Sequence, residues 1–321
     1  MEHRHIGDAV SRAELERAKE LGRKAKSERT QREYAADWRD FQRFCTARSA
    51  AALPATPQTV GLYATHLHDR GLAYASIKRR LVAISQQHKL QGATPSPGAD
   101  ERVHEILKGI ARERGAAPKR KDALTIDLIM KIMHVIPGTT LAGVRDRSLL
   151  LLGFSGAFRR SELAALDVRH LKWEKRGVIV HLPKSKTDPR GEGRDVAIPF
   201  ASIEALCPVK ALHGWIAAAG ITSGAVFRTF NLQKALTGNR IDGRDVARVV
   251  QRYVKRAKID GDFAAHSLRA GFVTSADDAG ASTSQIQATT GHRSLHVLSG
   301  YIRRSRKRLF ESHPLERILG I

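Results

Sequence analysis

Mainly α with a small antiparallel β-sheet, arranged as two domains of unequal size: that is the fold class this sequence predicts. Three observations lead there. Apolar residues recur at helical spacing along most of the chain. A stretch with Gly, Pro and four cations, RGAAPKRKDA from Arg114 to Ala123, breaks that period a third of the way along. Only one region, VRHLKWEKRGVIVHLPKSKTDPRGEGRDVAIPF, reads clearly as β. With 321 residues, 42% of them apolar, the chain can build a core in each domain.

Taken in order, residues 1–26 are charged and lack a sustained apolar stripe, so we expect a basic, partly ordered arm. A helical domain follows over 27–113. Tyr34, Trp38, Phe41 and Cys45 fall at i, i+4, i+7 and i+11, one face of a first helix. Thr56 as N-cap and Pro57 at the first helical position open a second, which Gly71 closes. AYASIKRRLVAISQQHKL forms a third. TPSPG at 94–98 breaks the chain before a fourth, from about Ala99 to Arg114, with Val103, Ile106, Leu107 and Ile110 as its stripe.

The linker at 114–123 leads into a larger domain, 124–321. Thr125 is a second N-cap candidate, and helices are expected at 125–135, 144–153 and 159–166. VIVHL and DVAIPF are strand-like, with turns at Lys175–Gly177 and Pro189–Gly193. Beyond Cys207 the pattern reads as mostly helical. The C-terminal stretch LFESHPLERILGI carries Leu315, Ile318, Leu319 and Ile321 as an apolar stripe after Pro314.

Charge narrows the function. Lys plus Arg number 55 against 32 Asp plus Glu, a net +23, which points to a polyanionic partner. A membrane surface is the rival polyanion. The longest apolar run, SLLLLGFSGAF at 148–158, falls short of the ~20 residues a span requires. No apolar h-region follows Met1, so a cytoplasmic location is expected. Cys45 and Cys207, far apart, make neither a disulfide framework nor a zinc cluster and read as buried apolar filler.

Four short stretches carry the chemistry. GAFRRSEL places Arg159 and Glu162 three apart at a helix start. PKSKT places Lys186, with Lys184 as a weaker rival, on the turn between two strands. HSLR places His266 and Arg269 on one helix face. GHRSLHVLSGYIRR places His292 nine residues before Tyr301 and follows that tyrosine with cations. Taken singly each is ordinary: an ion-paired arginine, a solvated loop lysine, a packed histidine, a half-buried tyrosine. His292 and His296 stand at i, i+4, but the Glu of HExxH is missing, so we expect no zinc site.

Together they solve one problem. Two arginine forks match the non-bridging oxygens of a phosphate and stabilise the charge that builds there during phosphoryl transfer. A histidine adds a donor. A lysine protonates a leaving 5′ oxygen. A tyrosine attacks phosphorus and stores the bond as a phosphodiester. The arginines supply the charge, so no metal or other cofactor is needed.

In this combination and order the chain resembles the tyrosine recombinase (phage integrase) family over nearly its whole length. The resemblance implies a helical core-binding, SAM-like N-terminal domain and a recombinase catalytic domain that clamp double-stranded DNA. It implies Arg159, Lys186, His266, Arg269, His292 and the nucleophile Tyr301 as catalytic residues, with Glu162 as the acidic residue of the first box. It further implies a homo-tetramer on two sites, a 3′-phosphotyrosyl intermediate, a Holliday junction, and a C-terminal helix donated to a neighbouring protomer. Nucleoid association in a bacterial host follows from the same likeness. Two other readings stay open: a type IB topoisomerase, and a non-catalytic DNA-binding regulator. For DNA contacts, Lys78, Arg79 and Arg80 lie together on one helix. Arg244, Arg248 and Arg252 repeat every four residues on another.

Overall fold

The computed structural model describes residues 11–24, 26–93, 95–115, 121–183 and 193–291. The chain divides into two compact units, Met1–Lys119 and Arg120–Ile321.

The first unit is helical: α1 (Arg12–Lys24), α2 (Glu28–Thr46), α3 (Pro57–Asp69), α4 (Tyr74–Leu90) and α5 (Glu101–Arg114). Helix α1 lies where sequence alone suggested an arm, and the reason is local. The Ser11 hydroxyl accepts from the Glu14 amide at 3.2 Å, the Glu14 carboxylate accepts from the Ser11 amide at 2.8 Å, and Arg17 pairs with Glu20 at 2.8 Å. Caps and i,i+3 pairs make a helix there without an apolar stripe.

Ser27, Thr56 and Asp100 cap α2, α3 and α5, and Pro57 takes the first turn of α3 as the sequence implies. The buried faces meet around Phe41, Phe44, Val60, Tyr63, Leu67, Ile77 and Ile84. The Tyr63 ring centroid stands 5.1 Å from that of Phe41 and 5.0 Å from that of Phe44.

The second unit carries α6 (Ile126–Val135), α7 (Leu141–Ser155), α8 (Arg160–Ala165), β1 (Leu171–Glu174), β2 (Gly177–Leu182), β3 (Arg194–Pro199) and α9 (Pro208–Ala218). β4 (Arg228–Phe230), β5 (Leu236–Arg240), α10 (Gly243–Arg256), α11 (His266–Asp278) and α12 (Thr283–Thr290) follow. Strands β1, β2 and β3 form one antiparallel sheet, with Val180 opposite both Leu171 and Val196. Val178, Val180, Leu182, Val196 and Ile198 face inward and join the main core. Of the expected turns here, Pro189–Gly193 lies outside the described residues except for Gly193.

A second hairpin, β4–β5, replaces helix in part of the region after Cys207. Its strands are short, with one apolar pair, Phe230 and Leu236, across them, so they leave no period to read. A Thr229–Thr237 hydroxyl contact of 2.6 Å joins them across the pair.

The apolar run at 148–158 is core. Leu149 to Leu152 of α7 are all buried, and no helix among the described residues is long and apolar enough to cross a membrane. Beside it, the fully buried Asp146 accepts from Arg145 Nε at 2.9 Å, Tyr253 Oη at 3.0 Å and Arg252 Nη1 at 3.2 Å, tying α7 to α10. Burial first, then the Asp146 charge, pushes the Tyr253 hydroxyl up to about 12.

Two contacts fix where α11 runs. The Leu124 amide donates to the Ser267 carbonyl at 2.9 Å. At Gly271 a β-carbon would stand 1.7 Å from the Leu124 carbonyl oxygen, so only glycine admits this approach. Thr125 occupies the N-cap position of α6 but makes no side-chain cap; the Ile126 amide donates instead to Ser275 Oγ of α11 at 2.9 Å.

Candidate active site

The turn GAFRR, between α7 and α8, begins the site. Ala157 adopts φ +47°, a left-handed conformation unfavourable for alanine, and is fully buried. Hydrogen bonds hold it there: the Ala157 amide donates to the Phe154 carbonyl at 2.9 Å, and the Phe158 amide to the Gly153 carbonyl at 3.1 Å. In this shape Ala157 turns its own carbonyl toward α11, where it accepts from Arg269 Nη1 at 2.8 Å. Arg269 is 1% exposed. A cation buried that deeply needs anionic or carbonyl partners, and one of these comes from the first motif.

Arg159 is the N-cap of α8. Its amide donates to Glu162 Oε2 at 2.8 Å and its guanidinium to Oε1 of the same carboxylate at 2.5 Å. Glu162 is buried and therefore closes the helix start and aims Arg159 at once. His266 and Arg269 share a face of α11, one turn apart. The His266 pKa is held below its ordinary 6.5. Desolvation is the largest cause, followed by repulsion from Arg269, Arg159 and Arg160. His266 remains exposed to solvent, so its ring is reachable.

Arg159, Glu162, His266 and Arg269, from two motifs more than a hundred residues apart, thus come into one electrostatic neighbourhood. Arg194, at the start of β3, joins them; its Nη2 stands 3.7 Å from Glu162 Oε2. Its guanidinium pKa is lowered by burial and by Arg159, with Glu162 opposing. Sequence reasoning missed Arg194, which looked like one more cation in a basic hairpin; the turn-to-strand switch at Gly193 was the one signal. Lys184, Lys186, His292 and Tyr301 lie outside the described residues, as does the C-terminal stripe.

The expected DNA contacts separate into two kinds. Lys78 is exposed and lies 5.6 Å from the Tyr74 ring centroid. Arg79 instead pairs with Glu33 at 3.3 Å and Asp37 at 3.2 Å. Arg80 is engaged by Asp40 and by the Tyr63 hydroxyl at 3.0 Å, and its side chain is 19% exposed. Arg79 and Arg80 are therefore tied into the fold of the first unit. Arg244 and Arg248 stand out from α10, each with an acidic neighbour, Asp242 at 3.3 Å and Asp245 at 2.6 Å. Their side chains stay 81% and 65% exposed, so these pairs are weak and exchangeable.

Comparison with known proteins fits this geometry. Residues 122–308 match the phage integrase family, and residues 20–90 match its N-terminal SAM-like domain. The integrase/recombinase xerD homolog of Selenomonas ruminantium is 34% identical over 305 residues, covering 94% of this chain and 89% of that protein. Tyrosine recombinase XerC of Myxococcus xanthus is 29% identical over 296 residues, covering 87% of this chain and 88% of that one. Among solved structures, a lambda integrase tetramer bound to a Holliday junction superposes with a TM-score of 0.62 at 19% identity. It covers 91% of this chain and 78% of that one, a likeness of fold.

Proposed function

The chain belongs to the phage integrase family and is a site-specific DNA recombinase of the tyrosine type. From that premise we propose that it cleaves DNA through a covalent bond between Tyr301 and a 3′ phosphate. The observation that carries this reading is the convergence of Arg159, His266 and Arg269, held in place by Glu162 and the Ala157 carbonyl.

In the proposed reaction the scissile phosphate lies against the Arg159 and Arg269 guanidinium groups, with His266 and His292 donating to the same oxygens. Tyr301 gives its proton to water as its oxygen attacks phosphorus, while the bond to the 5′ oxygen breaks. Lys186 hands that oxygen a proton. The result is a 3′-phosphotyrosyl enzyme and a free 5′ hydroxyl; attack by a 5′ hydroxyl reverses the step and releases Tyr301. The cations matter most when the phosphorus is five-coordinate and its charge greatest. Burial first, and then the arginines around it, hold the His266 pKa down before DNA arrives.

Recombination requires this step on two duplexes. The lambda relative is a tetramer on a Holliday junction, and we extend that assembly to this chain, with its C-terminal stripe as the segment exchanged between protomers. Lys78, Arg244 and Arg248 contact the DNA backbone in this reading.

The test begins by sequencing DNA recovered as a covalent adduct of the protein, which defines the site. A duplex bearing that site and a nick beside the cleavage point then traps the intermediate. We expect an adduct that disappears in Tyr301→Phe and forms equally well in excess EDTA. An adduct that survives Tyr301→Phe refutes the nucleophile. Relaxation of supercoiled DNA by a monomer, without recombination of two sites, refutes the recombinase assembly in favour of a topoisomerase.

A further inference from the structure

Arg194 is used by none of the steps above, yet its surroundings are specific. Nη1 donates to the Thr289 carbonyl, in the last turn of α12, at 2.7 Å. Nη2 lies 3.7 Å from Glu162 Oε2, the carboxylate that holds Arg159. Nε and Nη2 are buried without a hydrogen-bond acceptor. Orphaned donors on a buried cation cost stability, so packing alone favours a leucine or methionine here.

The chain also makes room for this side chain. Gly291 ends α12 in the left-handed region, φ +66°, and a β-carbon there would stand 2.8 Å from Arg194 Nε and 3.0 Å from its Cδ. The guanidinium therefore lies against the backbone of the residue that precedes His292. Arg194 itself opens the strand that follows the Lys186 segment.

We infer that Arg194 is a positioning residue for strand cleavage: one guanidinium pins the end of α12 to β3 and stands beside the Glu162 carboxylate that orients Arg159. It joins, through Glu162, Thr289 and Gly291, the chain on either side of three separate motifs. A planar fork suits this, because it serves two acceptors at a fixed angle, where an ammonium serves one at a time. The inference rests on the proposed reaction, since positioning has meaning only if Arg159 meets phosphate.

The experiment is single-turnover cleavage of the nicked duplex recovered above, at saturating protein, for wild type, Arg194→Ala, Arg194→Lys and Arg159→Ala. Rate constant, amplitude, DNA affinity and melting temperature are read for each. For Arg194→Ala we expect a rate constant lowered on the order of 10- to 100-fold, the scale of a small misplacement of reacting groups. Amplitude and affinity stay within about threefold of wild type, and Arg194→Lys recovers only part of the rate, as one contact but not the fork is restored. A purely structural role lowers amplitude and melting temperature and leaves the rate constant of the folded fraction unchanged; that result overturns the inference. If Arg194→Ala does not fold, the lysine variant decides, and a wild-type rate in it overturns the inference as well. Loss in Arg159→Ala with wild-type cleavage in Arg194→Ala sinks this inference alone. Wild-type cleavage in Arg159→Ala sinks the proposed reaction.

Discussion

Replacing Glu162 by glutamine exchanges one carboxylate oxygen for an NH2 group and tests how the first arginine is held. Glu162 is 5% exposed, and both its oxygens are used: Oε1 takes the Arg159 guanidinium at 2.5 Å and Oε2 the Arg159 amide at 2.8 Å. Arg194 Nη2 stands 3.7 Å away. Glutamine keeps one acceptor. Its amide nitrogen must then face either a backbone N–H or a guanidinium, donor against donor. Losing the charge assistance costs about 1–1.5 kcal/mol and the second contact about 1 kcal/mol more. The sum, about 2–2.5 kcal/mol, lowers the melting temperature of the second unit by roughly 4–10 °C at its size. Calorimetry reads this directly. A DNA phosphate supplies the missing anion, so the deficit shrinks in the complex. A double-mutant cycle with Arg159→Ala isolates the pair, with an expected coupling of at least about 1 kcal/mol. Strict additivity, or a melting temperature unchanged by Glu162→Gln, would mean that Glu162 does not hold Arg159.

Other expectations concern charge. Arg159→Ala and Arg269→Ala each lower the cleavage rate by at least roughly 10²-fold, the scale for one charge-stabilising donor; a loss under tenfold in both would show that the phosphate sits elsewhere. The His266 pKa lies below 6.5 in the free protein. The folded state therefore disfavours the proton: this group's contribution to stability is complete above pH 6.5 and declines as pH falls through 6.5 toward the folded value. An NMR titration giving an apparent pKa at or above 6.5 would contradict that, whereas DNA should raise it by screening the arginines. Arg244→Ala and Arg248→Ala each reduce the slope of log affinity against log salt by about one. Arg80→Ala acts mainly on the stability of the first unit, removing the ion pair with Asp40 and leaving Tyr63 as that carboxylate's partner from the core, and a change in salt slope with no loss of stability would reverse that assignment.

Much of the architecture was legible because it is local. The Thr56 cap is made within three residues of itself, and a helical stripe repeats whatever surrounds it; at Thr125, where a cap was also expected, the amide beyond it bonds instead to remote Ser275. Helix α1 escaped for the same reason in reverse: short-range pairs hold it, and no stripe announces it. The β4–β5 hairpin escaped because strands of three and five residues are too short to show a period.

The candidate site was proposed from residue types in order, since the phosphoryl transfer proposed for it calls for forked cations, a proton donor and a nucleophile wherever the chain places them. Composition and spacing could not separate the two kinds of arginine. Arg79 and Arg80 read like their neighbour Lys78 until Asp37 and Asp40 of a neighbouring helix are seen to pair with them, and Arg194 looks like a loop cation until the carbonyl of Thr289, 95 residues away in sequence, accepts a hydrogen bond from it. By itself, then, the sequence determined which groups are present, their order, and the helices that carry them. The tertiary structure decided which cations are paired within the fold and which keep exposed side chains. That depends on distances between segments remote in the chain, and an electrostatic partner is set by those distances rather than by sequence spacing.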